Sequence, residues 1–262
     1  MLNYFQKLQK KVLRKADYKT RYIKKRYAIW HYNRNKNNID DALSTFSPFL
    51  NIYRFIHIES ARLTHYLTDA CEQKTPVVGD ALFVKCFIRK GDWDTCKRPI
   101  LPDYINQPYV GSIKYRSIYQ IFKENIPYQE CDWYKELLSQ KGRDKAEKWY
   151  EDIVNLYHSL KQNGYQLQHN LPATIRKKNV MNLDEIRIAI SRNGEYYRLR
   201  EHGNRRLALA SILGIEIIPV YVQGVHYDWA IKCLEKHGGD LLSSINKELA
   251  SMDLKYEATG LS

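Results

Sequence analysis

The sequence has no Cys-x-x-Cys pair. Its five cysteines, Cys71, Cys86, Cys96, Cys131 and Cys233, are odd in number and scattered. That pattern argues against a disulfide framework and against a cysteine-based zinc site, and leaves reduced packing thiols as the expectation. No apolar run reaches the 18 residues of a membrane-spanning helix, and the first residues are charged where a signal peptide would be apolar. Both absences predict a cytoplasmic protein. Acid is scarce at the N-terminus, where residues 1–36 hold twelve Lys/Arg and one acidic residue, Asp17. The other 226 residues carry 30 basic and 28 acidic side chains, so +11 of the net +13 belongs to this arm and the body is nearly neutral. There is no internal repeat and no clustered acidic motif of the metal-dependent nuclease kind.

What the chain has instead is a basic amphipathic start. Phe5, Leu8, Val12, Ala16, Ile23, Tyr27 and Trp30 recur at helical spacing, with lysines and arginines around them. Such a helix either packs on the body or lies on a polyanion. An anionic membrane surface suits the apolar stripe, and nucleic acid suits the charge. On the membrane reading the protein is peripheral on the inner face. Asn-rich "NRNKNNID" follows as a linker. The chain divides into arm and linker (1–40), a mainly helical N-terminal part of the body (41–182), a core (183–235) and a C-terminal tail (236–262). With 44% hydrophobic residues there is enough for a sizeable core.

Within 41–182, "YRFIHIESARL" reads as a strand or turn leading into a helix, "ALFVKCFI" alternates as a strand, and "RKGDWDT" reads as a polar loop. Helices are predicted from "SIYQIFKE" to "NLYHSLKQNGY", the last with Ile153, Leu156, Tyr157 and Leu160 on one face and Gly164 at its end. The C-terminal third is clearer. Ile186, Ile188 and Ile190 alternate with polar or small residues, Asn193-Gly194 suits a tight turn, and "YYRLR" returns as the second strand of a β-hairpin. Gly203 allows a sharp turn into "NRRLALASIL", with Leu207, Ala210 and Leu213 along one side and Gly214 as C-cap. "IEIIPVYV" reads as a buried strand, although Pro219 prefers an edge or a bulge. The fold class is α+β, a small mixed sheet packed against helices.

Arg205 and Arg206 stand where that helix begins, at the end of the dipole that disfavours cations. An anion held by the free N–H groups would reconcile them, although two arginines on a first turn are often simply solvated. The hairpin, "EHGNRRLALASILG", "IEIIPVYV" and "VHYDW" together resemble the ParB/sulfiredoxin superfamily, closely over residues 183–229. Upstream, "GDWD" and "LYHSLKQNGYQLQ" more loosely resemble the longer stand-alone ParB-like proteins of archaea, phages and bacterial gene clusters. The resemblance implies that Gly203, Asn204, Arg205 and Arg206, with His202, form a nucleotide phosphate-binding turn. His226 and Trp229 match a recurrent ending of the longer forms.

The departures matter too. Asn204 stands where sulfiredoxins carry their catalytic cysteine, so that chemistry is not expected. Only 40 residues follow Val222, few for the helix-turn-helix and dimerisation region of partition proteins. His202, preceded by Glu201, stands where the superfamily's free serine kinases usually have Asp. By the resemblance, one expectation is a phosphotransferase using ATP or CTP with Mg²⁺ on an unknown acceptor. Glu201 or Asp94 would be base or metal ligand there, and His226 a third catalytic candidate. The other is a binding module that senses CTP or ATP. Glu201 serves equally as a partner of Arg198 or Arg200, Asp92 and Asp94 as turn residues, and His202 and His226 as packing histidines.

Overall fold

Strands that alternate apolar and polar residues need a sheet with a buried face, and the chain builds one around the hairpin. The computed structural model describes residues 55–67, 87–99, 110–167, 185–199 and 203–254. The arm, the linker, residues 81–86, Glu201 and His202 lie outside the described residues. The strands are β1 Phe55–Glu59, β2 His65–Leu67, β3 Ile88–Arg89, β4 Lys97–Pro99, β5 Arg187–Ile190, β6 Tyr196–Arg198 and β7 Ile217–His226. The helices are α1 Val110–Phe122, α2 Asp132–Lys141, α3 Arg143–Asn163, α4 Asn204–Ile212, α5 Tyr227–His237 and α6 Leu241–Ser251. The protein is α+β with a mixed sheet.

The predicted hairpin is β5 and β6, antiparallel, with Ile188 opposite Arg198 and Ile190 opposite Tyr196. Gly194 turns it at φ +81°. The Ser191 hydroxyl accepts the Asn193 and Glu195 amides at 3.3 and 3.0 Å. The strand order is β1-β7-β5-β6-β2-β4, with β3 against the far end of β7. β7 runs parallel to β5 and β3 and antiparallel to β1, while β2 runs parallel to β6. Between Ile188 opposite Val222 and Ala189 opposite Gly224, Gln223 is the extra residue of a bulge. Pro219 lies in this inner strand, yet it faces only His57 of β1, because pairing with β5 starts at Tyr221. At that point the strand has a local edge, which is where a residue without an N–H is tolerated.

The core sits on one face of the sheet. Ile56, Ile58, Ile186, Ile188, Ile190, Val220 and Val222 are buried there, with Ala208 and Leu209 of α4, Ala230 of α5, and Ile245 and Leu249 of α6. Each Ile, Leu or Val among them contributes about 1.5–3 kcal/mol on burial. A smaller cluster of Trp133, Tyr134, Leu137 and Ala146 joins α2 to α3. There Glu147 accepts the Tyr128 and Tyr134 hydroxyls at 3.0 and 2.7 Å.

Three expectations change. The 41–182 segment supplies α1 to α3 but also β1 to β4, and β7 takes its second neighbour from β1, so the sheet spans the boundary drawn at 183. The 236–262 segment holds α6, whose Leu241, Ile245 and Leu249 are core residues. Just beyond α6, buried Asp253 accepts the His57 amide at 3.0 Å and meets its Nδ1 at 3.0 Å. On α4 the buried side chains are Arg206, Ala208, Leu209, Ala210 and Ile212, and half-buried Leu207 and Leu213 pack against the same core. Cys131 and Cys233 are free and buried, as packing thiols should be, but Cys96 is disulfide-bonded. An odd cysteine count does not forbid a single bridge. Among the described residues no helix is long and apolar enough to cross a membrane.

Candidate functional site

The residues singled out in the sequence fall at opposite ends of β5. One group gathers where Ile186 leads into the strand, the other where Ser191 leaves it. Five residue steps at roughly 3.3 Å separate these points by about 16 Å.

At the Ile186 end, Gly203 adopts φ +73° in the left-handed region, and a Cβ added there would lie 2.6 Å from the backbone N and Cα of Ile186. No other residue fits against the strand so closely. This contact sets where α4 begins, and the Leu207 amide donates to the Gly203 carbonyl at 2.9 Å. The two arginines of the first turn then diverge. Arg206 turns inward and is 6% exposed. Its Nη1 donates to Glu185 Oε2 at 3.1 Å and to the Gln166 carbonyl at 3.0 Å, and its guanidinium lies 5.4 Å from the centre of the Tyr165 ring. The Tyr165 hydroxyl donates to the same Glu185 oxygen at 3.5 Å, and burial pushes its pKa well above the usual tyrosine range. Arg206, expected as a phosphate clamp, is therefore held by a buried ion pair.

Arg205 is half-buried and takes no carboxylate partner among the described residues. Its charge acts on Lys114. Lys114 of α1 is held below the usual lysine pKa first by burial, then by Arg205 and Lys141, with Glu136 acting in the opposite sense. The Lys114 Nζ lies 4.3 Å over the Trp133 ring. Asn204 opens the same turn, and its backbone begins α4.

At the Ser191 end, Asp94 is 5% exposed and Arg192 closes around it. The Arg192 Nε donates to Oδ1 and Oδ2 at 3.1 and 3.0 Å, its Nη2 to Oδ1 at 2.7 Å, and its backbone N–H to Oδ2 at 3.0 Å. The same Nη2 reaches Asp92 Oδ1 at 2.8 Å. Burial alone would raise the Asp94 pKa, but the hydrogen bonds from Arg192 outweigh it and hold the carboxyl low. His226 Nε2 donates to the Gly91 carbonyl at 2.8 Å, and Nδ1 accepts the Asp228 amide at 3.0 Å, capping α5. These partners fit the neutral Nε2-protonated tautomer. The imidazole packs on Trp93 with ring centres 5.6 Å apart, and the Lys232 Nζ donates to the Arg192 carbonyl at 3.0 Å. Trp229 lies 3.7 Å from where a Cβ on Gly194 would stand.

The "GDWD" turn, the hairpin turn and the β7–α5 junction are thus clasped together. The structure does bring Asp94 and His226 together, with Nε2 3.9 Å from Oδ1, but it holds them away from Arg205 and engages their polar atoms. That arrangement suits a clasp and not a base beside a phosphate. Glu185, Tyr165, Arg192 and Lys114 were not anticipated in the sequence. Glu185 and Arg192 flank the hairpin strands, where an acid and a base beside a buried strand are a usable signal; Lys114 carried none. Among the described residues no group of three or more His, Cys, Asp or Glu side chains is placed to hold a metal ion. No known family model, curated protein or solved structure matches the chain.

Proposed function

We propose that the protein binds a nucleoside triphosphate, ATP or CTP, at the N-terminus of α4 in the manner of the ParB/sulfiredoxin superfamily. The observation that carries this is Arg205, a half-buried cation on the first turn of a helix, close enough for its charge to act on Lys114 and without a carboxylate partner among the described residues. Helix dipole and like charges both work against that arrangement until an anion joins it. The hairpin, the left-handed Gly203 and α4 match the order of elements that the resemblance implies. Arg205 and the first amides of α4 are the groups that would hold the phosphates, with Mg²⁺ arriving on the nucleotide.

Binding is favoured over phosphoryl transfer, since Asp94 and His226 are engaged at the other end of β5. A phosphotransferase would draw its base from Glu201. The arm at 1–36 is proposed to deliver the protein to an anionic membrane surface in preference to nucleic acid, because, unless it packs on the body, its apolar stripe gains from lipid and nothing from phosphates.

Thermal unfolding of the full chain with ATP, CTP, GTP and ADP, with and without Mg²⁺, tests the site. A ligand of the native state at a hundred times its Kd adds about 2.7 kcal/mol. Stabilisation by a triphosphate, with the nucleotide recovered intact, is the expected result. No shift with any of them would overturn the proposal. Conversion of the bound nucleotide would favour the enzyme.

A further inference from the structure

We propose that Lys114 is a second phosphate ligand of this site, reaching it from α1, and that Trp133 is the platform that holds its ammonium in place. The inference rests on the reading of the α4 N-terminus as a phosphate site and adds a residue that the turn motif does not contain.

α1 packs against both α4 and α2, so it is the element that connects the Arg205 turn to the aromatic cluster. The Ser117 hydroxyl accepts the Trp133 amide at 3.0 Å, which pins the first turn of α2 one helical turn along α1 from Lys114. That contact brings the indole under the lysine, where the ammonium sits 4.3 Å from the ring centre in a cation–π position. Lysine side chains ordinarily reach for water or a carboxylate. This one is half-buried among other cations, and burial together with Arg205 disfavours its charge. Trp133 adds an independent sign. It is 8% exposed, and its Nε1–H has no hydrogen-bond partner. Buried donors without an acceptor are rare, and such a donor gains from any acceptor that reaches it. Two cations and an unpartnered N–H, against the single carboxylate of Glu136 that acts on Lys114, leave this corner with more donors than acceptors, which a phosphate group remedies.

The test is titration calorimetry of the full chain with inorganic triphosphate and with ATP, comparing wild type, Lys114→Met, Lys114→Arg and Arg205→Met. Loss of one charge-assisted contact should weaken both ligands about tenfold in Lys114→Met, while Lys114→Arg keeps most of the affinity. The ligand-free midpoint of Lys114→Met should stay level or rise, because a repelled, desolvated charge has gone. Should Lys114→Met fail to fold, Lys114→Gln keeps the stem on the indole and gives the same reading. Wild-type affinity in a folded Lys114 variant, with binding lost in Arg205→Met, overturns the role of Lys114 and leaves the α4 site standing. Unchanged binding in both single variants, or no binding by wild type, overturns the α4 site and this inference with it. A loss confined to ATP would show that Lys114 does not meet phosphate.

Discussion

The two ends of β5 carry similar residues and treat them differently. At the Ser191 end, Arg192 is matched by Asp92 and Asp94, and His226 has both ring nitrogens engaged. At the Ile186 end, Arg206 is matched by Glu185, but its neighbour Arg205 has no carboxylate partner among the described residues and its charge acts on Lys114. Saturation marks the first end as architecture. Arg205, which has no carboxylate partner among the described residues, marks the second as the place for a ligand.

Four experiments sharpen or break this contrast. The largest effect is expected from Arg206→Met, which removes the guanidinium paired with buried Glu185. Urea unfolding should show a loss of about 3–5 kcal/mol, and Glu185→Leu in the same chain should restore much of it. If Arg206→Met keeps full stability and loses nucleotide, Arg206 is a ligand after all.

Gly203→Ala comes next. Its Cβ would meet the Ile186 backbone at 2.6 Å, with φ in the left-handed region, so about 2–3 kcal/mol should be lost. A neutral substitution would mean that α4 is not seated against β5 as described.

Asp94→Asn should lower stability by about 1.5–3 kcal/mol through its charged hydrogen bonds, and leave nucleotide affinity unchanged. It has a pH signature. Asp94 and Glu248 are both held below their ordinary values, Asp94 by Arg192 and Glu248 by Lys236 and His237, in each case against burial. A carboxylate with a depressed folded pKa contributes stability that is present above its unfolded pKa and lost as the pH falls through the folded one. The thermal midpoint should therefore fall below about pH 4, and more shallowly in Asp94→Asn. An identical acid limb in wild type and variant would remove Asp94 from the clasp.

Arg205→Ala should change stability least, within about 0.5 kcal/mol, while abolishing nucleotide binding. A large loss of stability there would make the second end architecture as well.

Much of the fold could be read directly. The hairpin at Asn193-Gly194, the ends of α3 and α4 at Gly164 and Gly214, and the turn at Gly203 follow from alternation, helical period and the need for positive φ. These are local rules, and local rules are written in neighbouring residues. β1 to β4 were harder, because strands of two to five residues carry little period and are defined by their partners. The site was legible only in part: Arg205 and Gly203 stood out, while Lys114 gave no sign.

The sequence by itself determined that a glycine opens α4 against a strand and that two arginines follow it. Only the tertiary structure decided that Arg206 turns to Glu185 while Arg205 does not. Successive side chains on a helix point about 100° apart, so adjacent arginines must face different surroundings, and what each one meets depends on segments far away in the chain. Tyr165 and Glu185 close one side, and α1 brings Lys114 and Trp133 to the other. Asp94 and His226, 132 positions apart in the sequence, became a clasp for the same reason.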